Sequence, residues 1–136
     1  ENTSKEALKG GYILVDSKKE TPDMILIASG SEVSLVLEAK NVLMQKGIDT
    51  RVVSMPSTEL FEMQAAEYKE SVLPDNVRKR VAVEALSADY WYRYVGLDGK
   101  VIGMTTYGES APANQLFDYF GFTTEHIVEV AESIMK

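Results

Sequence analysis

The sequence contains no cysteine, and His126 is the single histidine among its 136 residues. The first absence excludes a disulfide framework, a thiolate metal site and a cysteine nucleophile together. The second excludes a catalytic histidine pair, a multi-histidine zinc site and an H-E-x-x-H motif within this chain. Long hydrophobic runs are also missing. The longest, Met24-Ile25-Leu26-Ile27-Ala28, falls far short of the roughly 20 apolar residues that span a bilayer. Positive charge is scarce: 14 Lys plus Arg stand against 21 Asp plus Glu, a net charge of −7. That balance argues against nucleic acid or a membrane surface as a partner. The opening residues after Glu1 lack the apolar stretch of a signal peptide, so the expected compartment is the cytoplasm.

What is present is the composition of an ordinary globular domain, 45% hydrophobic and 26% charged. A chain of this length buries about 70% of its extended surface, enough for one core and not two. Apolar runs at 12–15, 24–28, 51–55, 81–85 and 101–106 are short, rich in Val and Ile, and mostly continuous rather than alternating. That pattern predicts strands buried on both faces of a sheet covered by helices.

Segments of helical periodicity lie between most of these runs. Residues 32–46 carry Val33, Val36, Leu37, Leu43 and Met44, then meet Gly47 as a C′ residue, with Ile48 placed to close the cap. The last segment sets Ile127, Val130, Ala131, Ile134 and Met135 on one stripe, with Thr123 or Thr124 as N-cap and Glu125 in the first turn. Residues 60–73 and 89–95 also read as largely helical, as does the stretch opened by Pro112. Strand–helix alternation implies a mainly parallel sheet. The first connection, 16–23, is too short for a parallel crossover, so the first strand is expected to run antiparallel to the rest. No repeat, low-complexity tract or internal linker interrupts the chain.

Ligands in such sheets gather at the carboxyl ends of the parallel strands. There Ser29-Gly30-Ser31-Glu32 has two readings. Its backbone N–H groups at a helix start could hold an anion, with Ser29, Gly30 and Ser31 as the binding residues. Alternatively, Ser29 and Glu32 form a capping box that satisfies those groups internally. Neither G-x-G-x-x-G nor a Walker lysine is present. His126, in the first turn of the last helix, reads as a flank residue with no partner to make it a general base. Tyr90-Trp91-Tyr92-Arg93-Tyr94 gathers four aromatics in five residues. A helix cannot bury consecutive rings on one side, so Tyr90, Trp91, Tyr92 and Tyr94 are candidates for packing within the domain or at an interface. Asp16, Asp23, Glu84 and Glu109 fall near strand ends but show no metal-ligand spacing. No residue is assigned a catalytic, cofactor-binding or metal-ligating role.

Several segments carry a further signal through their order and spacing. They are Gly10-Gly11-Tyr12-Ile13-Leu14, Asp23-Met24-Ile25-Leu26-Ile27-Ala28-Ser29-Gly30-Ser31-Glu32-Val33, Arg51-Val52-Val53-Ser54-Met55-Pro56-Ser57 and Glu67-Tyr68-Lys69-Glu70-Ser71-Val72-Leu73-Pro74. Tyr94-Val95-Gly96-Leu97-Asp98-Gly99, Ser110-Ala111-Pro112-Ala113 and Gly121-Phe122-Thr123 complete the series. Together they resemble the C-terminal domain of transketolase over essentially the whole chain. Leu86-Ser87, where the family often has glycine, and Tyr107, where phenylalanine is common, are small departures in loops and packing.

The resemblance implies a three-layer α/β/α sandwich around a five-stranded mixed sheet, its first strand antiparallel to the others. It implies one domain over 1–136, with 1–10 a linker from a preceding domain. The parent enzyme would be a homodimer of the pentose phosphate pathway that moves a two-carbon ketol unit between sugar phosphates. Such an enzyme uses thiamine diphosphate and a divalent metal (Mg or Ca), held by its first two domains. This chain's partners would be those two domains and a second subunit, its role structural and dimer-supporting, and its activity alone nil. Asp98-Gly99 matches half of the family's metal signature but lacks the rest. A regulatory module binding a nucleotide or sugar phosphate is the alternative, as is the third domain of a related enzyme such as deoxyxylulose-phosphate synthase or the pyruvate dehydrogenase beta subunit.

Overall fold

The computed structural model describes residues 9–29, 32–84, 94–95, 99–103 and 123–135. In chain order the elements are β1 (Tyr12–Val15), β2 (Met24–Ala28), α1 (Val33–Gln45), β3 (Thr50–Ser54), α2 (Thr58–Glu62), α3 (Ala66–Val72), β4 (Arg80–Glu84), β5 (Lys100–Gly103) and α4 (Thr124–Met135). The strands join in a five-stranded sheet, order β1-β3-β2-β4-β5. β2 pairs in parallel with β3 and β4, and β4 with β5. β1 pairs antiparallel with β3, as the short first connection requires, with a register irregularity between Ile13 and Val15.

The unbroken apolar run of β2 follows from its central place. All five of its residues are fully buried, because both edges are paired and both faces are covered. Successive side chains alternate between two clusters. Met24, Leu26 and Ala28 join Val52, Val81 and Val83 under α1 (Val36, Ala39, Leu43) and α4 (Ile127, Val128, Ala131). Ile25 and Ile27 join Val53 and Ala82 on the opposite face, against Phe61 of α2, Val72 of α3, and Tyr94 and Val95. Thr124 of α4 bonds Glu38 of α1 at 2.8 Å, and Lys46 meets Glu132 at 3.2 Å, so these two helices run side by side in the same direction.

α1 ends as its sequence predicts. Gly47 has φ of 84°, its N–H donates to the Met44 carbonyl at 3.1 Å, and the Ile48 N–H reaches back to Leu43 at 2.9 Å. These two bonds are a Schellman closure, and Ile48 packs on the core beside it. A Cβ on Gly47 would meet nothing within 4 Å, so its requirement is conformational and not steric. Gly47→Ala is accordingly expected to destabilise the chain by about 1 kcal/mol, read as a lower urea midpoint at unchanged slope.

Elsewhere the boundaries differ. Helix 32–46 is one residue shorter at each end, and the third and fourth strands lie one residue earlier, at Thr50–Ser54 and Arg80–Glu84. The fifth starts at Lys100, and 104–106 lie outside the described residues. The single helix expected over 60–73 is two helices, separated at Met63–Ala65. The Met63 and Gln64 N–H groups reach back only three residues, to Leu60 at 3.2 Å and Phe61 at 3.1 Å, and the Gln64 side chain also donates to the Leu60 carbonyl at 2.9 Å, so the helix closes in a tightened last turn. Ala65 then turns extended, with ψ of 151°, and α3 begins anew. Of 89–95, only Tyr94 and Val95 are described, and both are helical. The stretch opened by Pro112 falls outside the described residues, as do Leu86-Ser87 and Tyr107.

Candidate functional site

At the carboxyl end of β2, the capping box expected between Ser29 and Glu32 is replaced by another arrangement. α1 starts at Val33, which makes Glu32 the N-cap itself, in helical conformation and without a side-chain capping bond. The Glu32 N–H donates to the Ser29 carbonyl at 3.3 Å. A capping box needs Glu at the third helical position, and the helix begins too late to provide it. Gly30 and Ser31 lie outside the described residues. Glu32 is thus a buried acidic residue at the start of α1, a position that does not favour an anionic ligand.

β3 ends on Ser54, and the chain turns through Met55 and Pro56 to Ser57, whose hydroxyl caps α2 by accepting the Leu60 N–H at 3.2 Å. Residues 9–11 press against this turn. Ser57 N–H donates to the Gly10 carbonyl at 3.0 Å, and the Tyr68 hydroxyl donates to Gly11 at 2.7 Å. The Lys9 ammonium stands 4.4 Å over the Tyr68 ring. Gly10 has φ of 86°, and a Cβ there would lie 2.3 Å from both the Phe61 nitrogen and the Ser57 carbonyl oxygen. A Cβ on Gly11 would lie 2.4 Å from the Met55 sulfur. Gly10 therefore occupies a seat that only glycine fills, whereas a Cβ on Gly11 would have to displace the Met55 side chain.

Tyr94 is 5% exposed. Its hydroxyl donates to Glu62 Oε2 at 2.7 Å, and its ring meets Phe61 edge-on at 6.3 Å. Of the four aromatics read as interface candidates, Tyr94 is thus taken up inside the domain. Tyr90, Trp91 and Tyr92 lie outside the described residues. Arg80 holds the Tyr94 segment in place. Its guanidinium donates to the carbonyls of Tyr94 (2.6 Å), Pro74 (2.7 Å), Val77 (2.9 Å) and Leu73 (3.3 Å). Burial pulls its pKa below the usual arginine value, against the opposing pull of Asp75 and Glu70. Gly99 lies across Arg80, where a Cβ would come within 2.5 Å of the Arg80 carbonyl, so the glycine of Asp98-Gly99 is a packing residue.

The amino end of the sheet holds a buried polar cluster that the sequence did not announce. Lys40, 7% exposed, donates to the carbonyls of Thr50 at 2.6 Å and Asp16 at 3.3 Å. Burial lowers its pKa below 10.5, while Asp49 and Asp16 pull it upward. Arg51 donates to Asp16 at 2.7 Å and to the carbonyls of Ser71 and Val72 at 3.1 Å each. The Asp49 carboxylate accepts the N–H groups of Lys18 and Lys19 at 2.8 and 2.7 Å. Asp23 bonds the Lys19 ammonium at 2.8 Å and the Asp49 N–H at 2.9 Å, which holds its carboxyl below the ordinary 3.8. A hollow of about 260 Å³ opens beside Lys18, Lys19, Asp23 and Asp49.

Each carboxylate of this cluster already has a cationic or backbone N–H partner within the chain. Asp16 and Asp23 are hydrogen-bonded strand-end carboxylates of that kind. Glu84 closes β4, and Glu109 lies outside the described residues. Among the described residues no group of three or more His, Asp or Glu side chains could hold a metal ion. His126 is on the surface, its Nδ1 3.4 Å from Glu129, and its N–H donates to the hydroxyl of Thr123, which is the N-cap. No described helix is long and apolar enough to cross a membrane.

Comparison with known proteins places this geometry in context. The family model described as the transketolase-like TK C-terminal domain matches residues 10–123. Transketolase 2 of Escherichia coli (strain K12) is 57% identical over 131 residues, covering 96% of this chain and 20% of its own length. Transketolase 2 of Vibrio parahaemolyticus is 57% identical over 127 residues, covering 93% of this chain and 19% of its own. The solved transketolase from Leishmania mexicana superposes with a TM-score of 0.85 at 37% identity, over 96% of this chain and 18% of that one. A split-gene transketolase described as an inactive beta4 tetramer shares the fold, with a TM-score of 0.67 at 19% identity over 94% of this chain and 43% of that one. The chain spans about a fifth of the length of the curated relatives it matches.

Proposed function

Because this chain belongs to the transketolase C-terminal domain family, we propose that it serves as the third domain of a cytoplasmic, homodimeric transketolase. The whole enzyme would move a two-carbon ketol unit between sugar phosphates in the pentose phosphate pathway, with thiamine diphosphate and a divalent metal. The observation that carries this reading is the identity of 57% across 96% of this chain. In this reading the sheet, with helices over both faces, is the three-layer sandwich of the family's third domain.

The described residues do not fit the cofactor or its metal. The acidic side chains of the amino-end cluster are committed to Lys19, Arg51 and backbone N–H groups, and no metal-ligand cluster occurs among the described residues. No chemical step is routed through the described residues. Its contribution is architectural: a rigid sheet, a fixed seat for residues 9–11, and a support for the preceding domains and the dimer.

The test is an assay of the isolated chain with a ketose phosphate donor, an aldose phosphate acceptor, thiamine diphosphate and magnesium. No turnover above buffer is expected. Turnover by the isolated chain overturns the architectural role, and absence of ketol transfer by the full polypeptide overturns the enzymatic assignment of the whole.

A further inference from the structure

Among the described residues the large apolar side chains that stay exposed are Val15, Leu60 and Met63, at 38%, 41% and 78%. Val15 ends β1 at the amino end of the parallel strands. Leu60 and Met63 sit together at the carboxyl end, one helical turn apart on α2 and its C-cap. Scattered exposed apolar residues need no explanation. This pair differs because of what lies next to it.

β1 runs antiparallel to β3, with Tyr12 opposite Ser54, so residues 9–11 approach the sheet at the same carboxyl end. They come to rest on α2 itself. The Gly10 carbonyl accepts the Ser57 N–H, and the Gly10 Cα is so close to the helix that a Cβ would lie 2.8 Å from the Leu60 carbonyl carbon. The first described residues of the chain therefore lie at the rim of the Leu60–Met63 patch. The relatives that match this chain are about five times as long, and the matched family is their C-terminal domain.

We propose that Leu60 and Met63 form the docking surface for the preceding domain of the same polypeptide, seated beside the Gly10-Gly11 junction. This rests on the reading of the chain as a transketolase third domain. Burying the pair against that domain would remove the exposed apolar surface from water and fix the domain's angle through two points, the covalent junction and the patch. An apolar, weakly charged face of the preceding domain is the matching chemistry. Glu59, exposed on the same helix, would lie at the polar rim.

Methionine oxidation reads this directly, since sulfoxide formation follows exposure. In the isolated chain, hydrogen peroxide should oxidise Met63 rapidly and the fully buried Met24 slowly. In the full-length enzyme Met63 should slow by about tenfold or more, while Met24 stays slow. As a second measurement, Met63→Lys in the full-length enzyme should speed proteolytic cleavage near residues 1–10, whereas Met63→Leu should not. Equal Met63 oxidation in the isolated chain and in a full-length enzyme that still catalyses ketol transfer overturns the docking surface and leaves the family reading intact. Protection lost on diluting the full-length enzyme to monomers, or already present in concentrated isolated chain, places a second copy on the patch and likewise overturns the proposal. A full-length protein without ketol transfer is the separate outcome that fails the underlying reading.

Discussion

Arg80→Ala is expected to lower the stability of the chain by about 3–5 kcal/mol, a large share of what a domain of this size possesses. The reason lies in the acceptors and not in the charge. Leu73, Pro74 and Val77 turn the chain from α3 into β4, and Tyr94 begins the next described segment. Their four carbonyls converge on one guanidinium, whose planar fork of donors can serve them all. Alanine leaves those carbonyls without that donor, each part-buried one costing about 1–3 kcal/mol if water does not reach it. Arg80→Met keeps the side-chain volume and removes the donors, so it should lose nearly as much. Arg80→Lys supplies a compact ammonium that cannot span four separated acceptors and should fall between. Urea unfolding of the three variants checks the order. A loss below about 1 kcal/mol for Arg80→Met would mean that the carbonyls are satisfied without Arg80.

Gly10→Ala is expected to cost about 2–4 kcal/mol, several times the effect at Gly47. Both glycines have positive φ, at 86° and 84°, so the backbone strain added by a Cβ is the same. The difference is space. At Gly47 the new methyl points into the open, whereas at Gly10 it runs into the Phe61 nitrogen and the Ser57 carbonyl, neither of which can rotate away. Residues 9–11 must then lift off α2, giving up the bonds from Ser57 and Tyr68. Amide exchange should show the Ser57 and Tyr12 N–H groups losing protection in Gly10→Ala while those of β2 keep theirs. Retained protection at Ser57 would contradict the steric account.

Local rules made much of the fold legible. The continuous Val and Ile runs revealed doubly covered strands because β2 to β4 are buried on both faces. The shortness of 16–23 settled the direction of β1, since no crossover of that length exists. Gly47 and Thr123 marked helix ends because capping is written in adjacent residues. What escaped depended on where a helix starts or stops within a continuous pattern, or on partners that meet only in the assembled sheet. The apolar spacing of 60–73 is continuous, and that spacing does not reveal that one helix closes at Met63 and another begins at Ala66. The S-x-x-E pattern at Ser29 carries no information about where α1 starts, and a later start made Glu32 the cap position. Lys40, Arg51 and Arg80 look like surface cations in the sequence. Their burial follows from backbone carbonyls that converge only after the sheet is assembled. No motif names such an arrangement, because its acceptors are main-chain atoms of any residue type.

The strand order β1-β3-β2-β4-β5 also governs when each piece can form. β2 and β3 are linked through a single helix, so their pairing closes a short loop and can nucleate early, before β4 has arrived from far along the chain. β1 precedes β2 in sequence yet has no place beside it; among the described strands it pairs with β3, and it must wait until that edge exists. β1 is therefore a late addition to this folding unit, although it comes before the other strands in the sequence. The same ordering read backwards makes β1, together with the glycine seat in front of it, the natural first element to peel from the edge under tension or in transient opening. A pull transmitted from upstream would meet this edge strand before it reached the core.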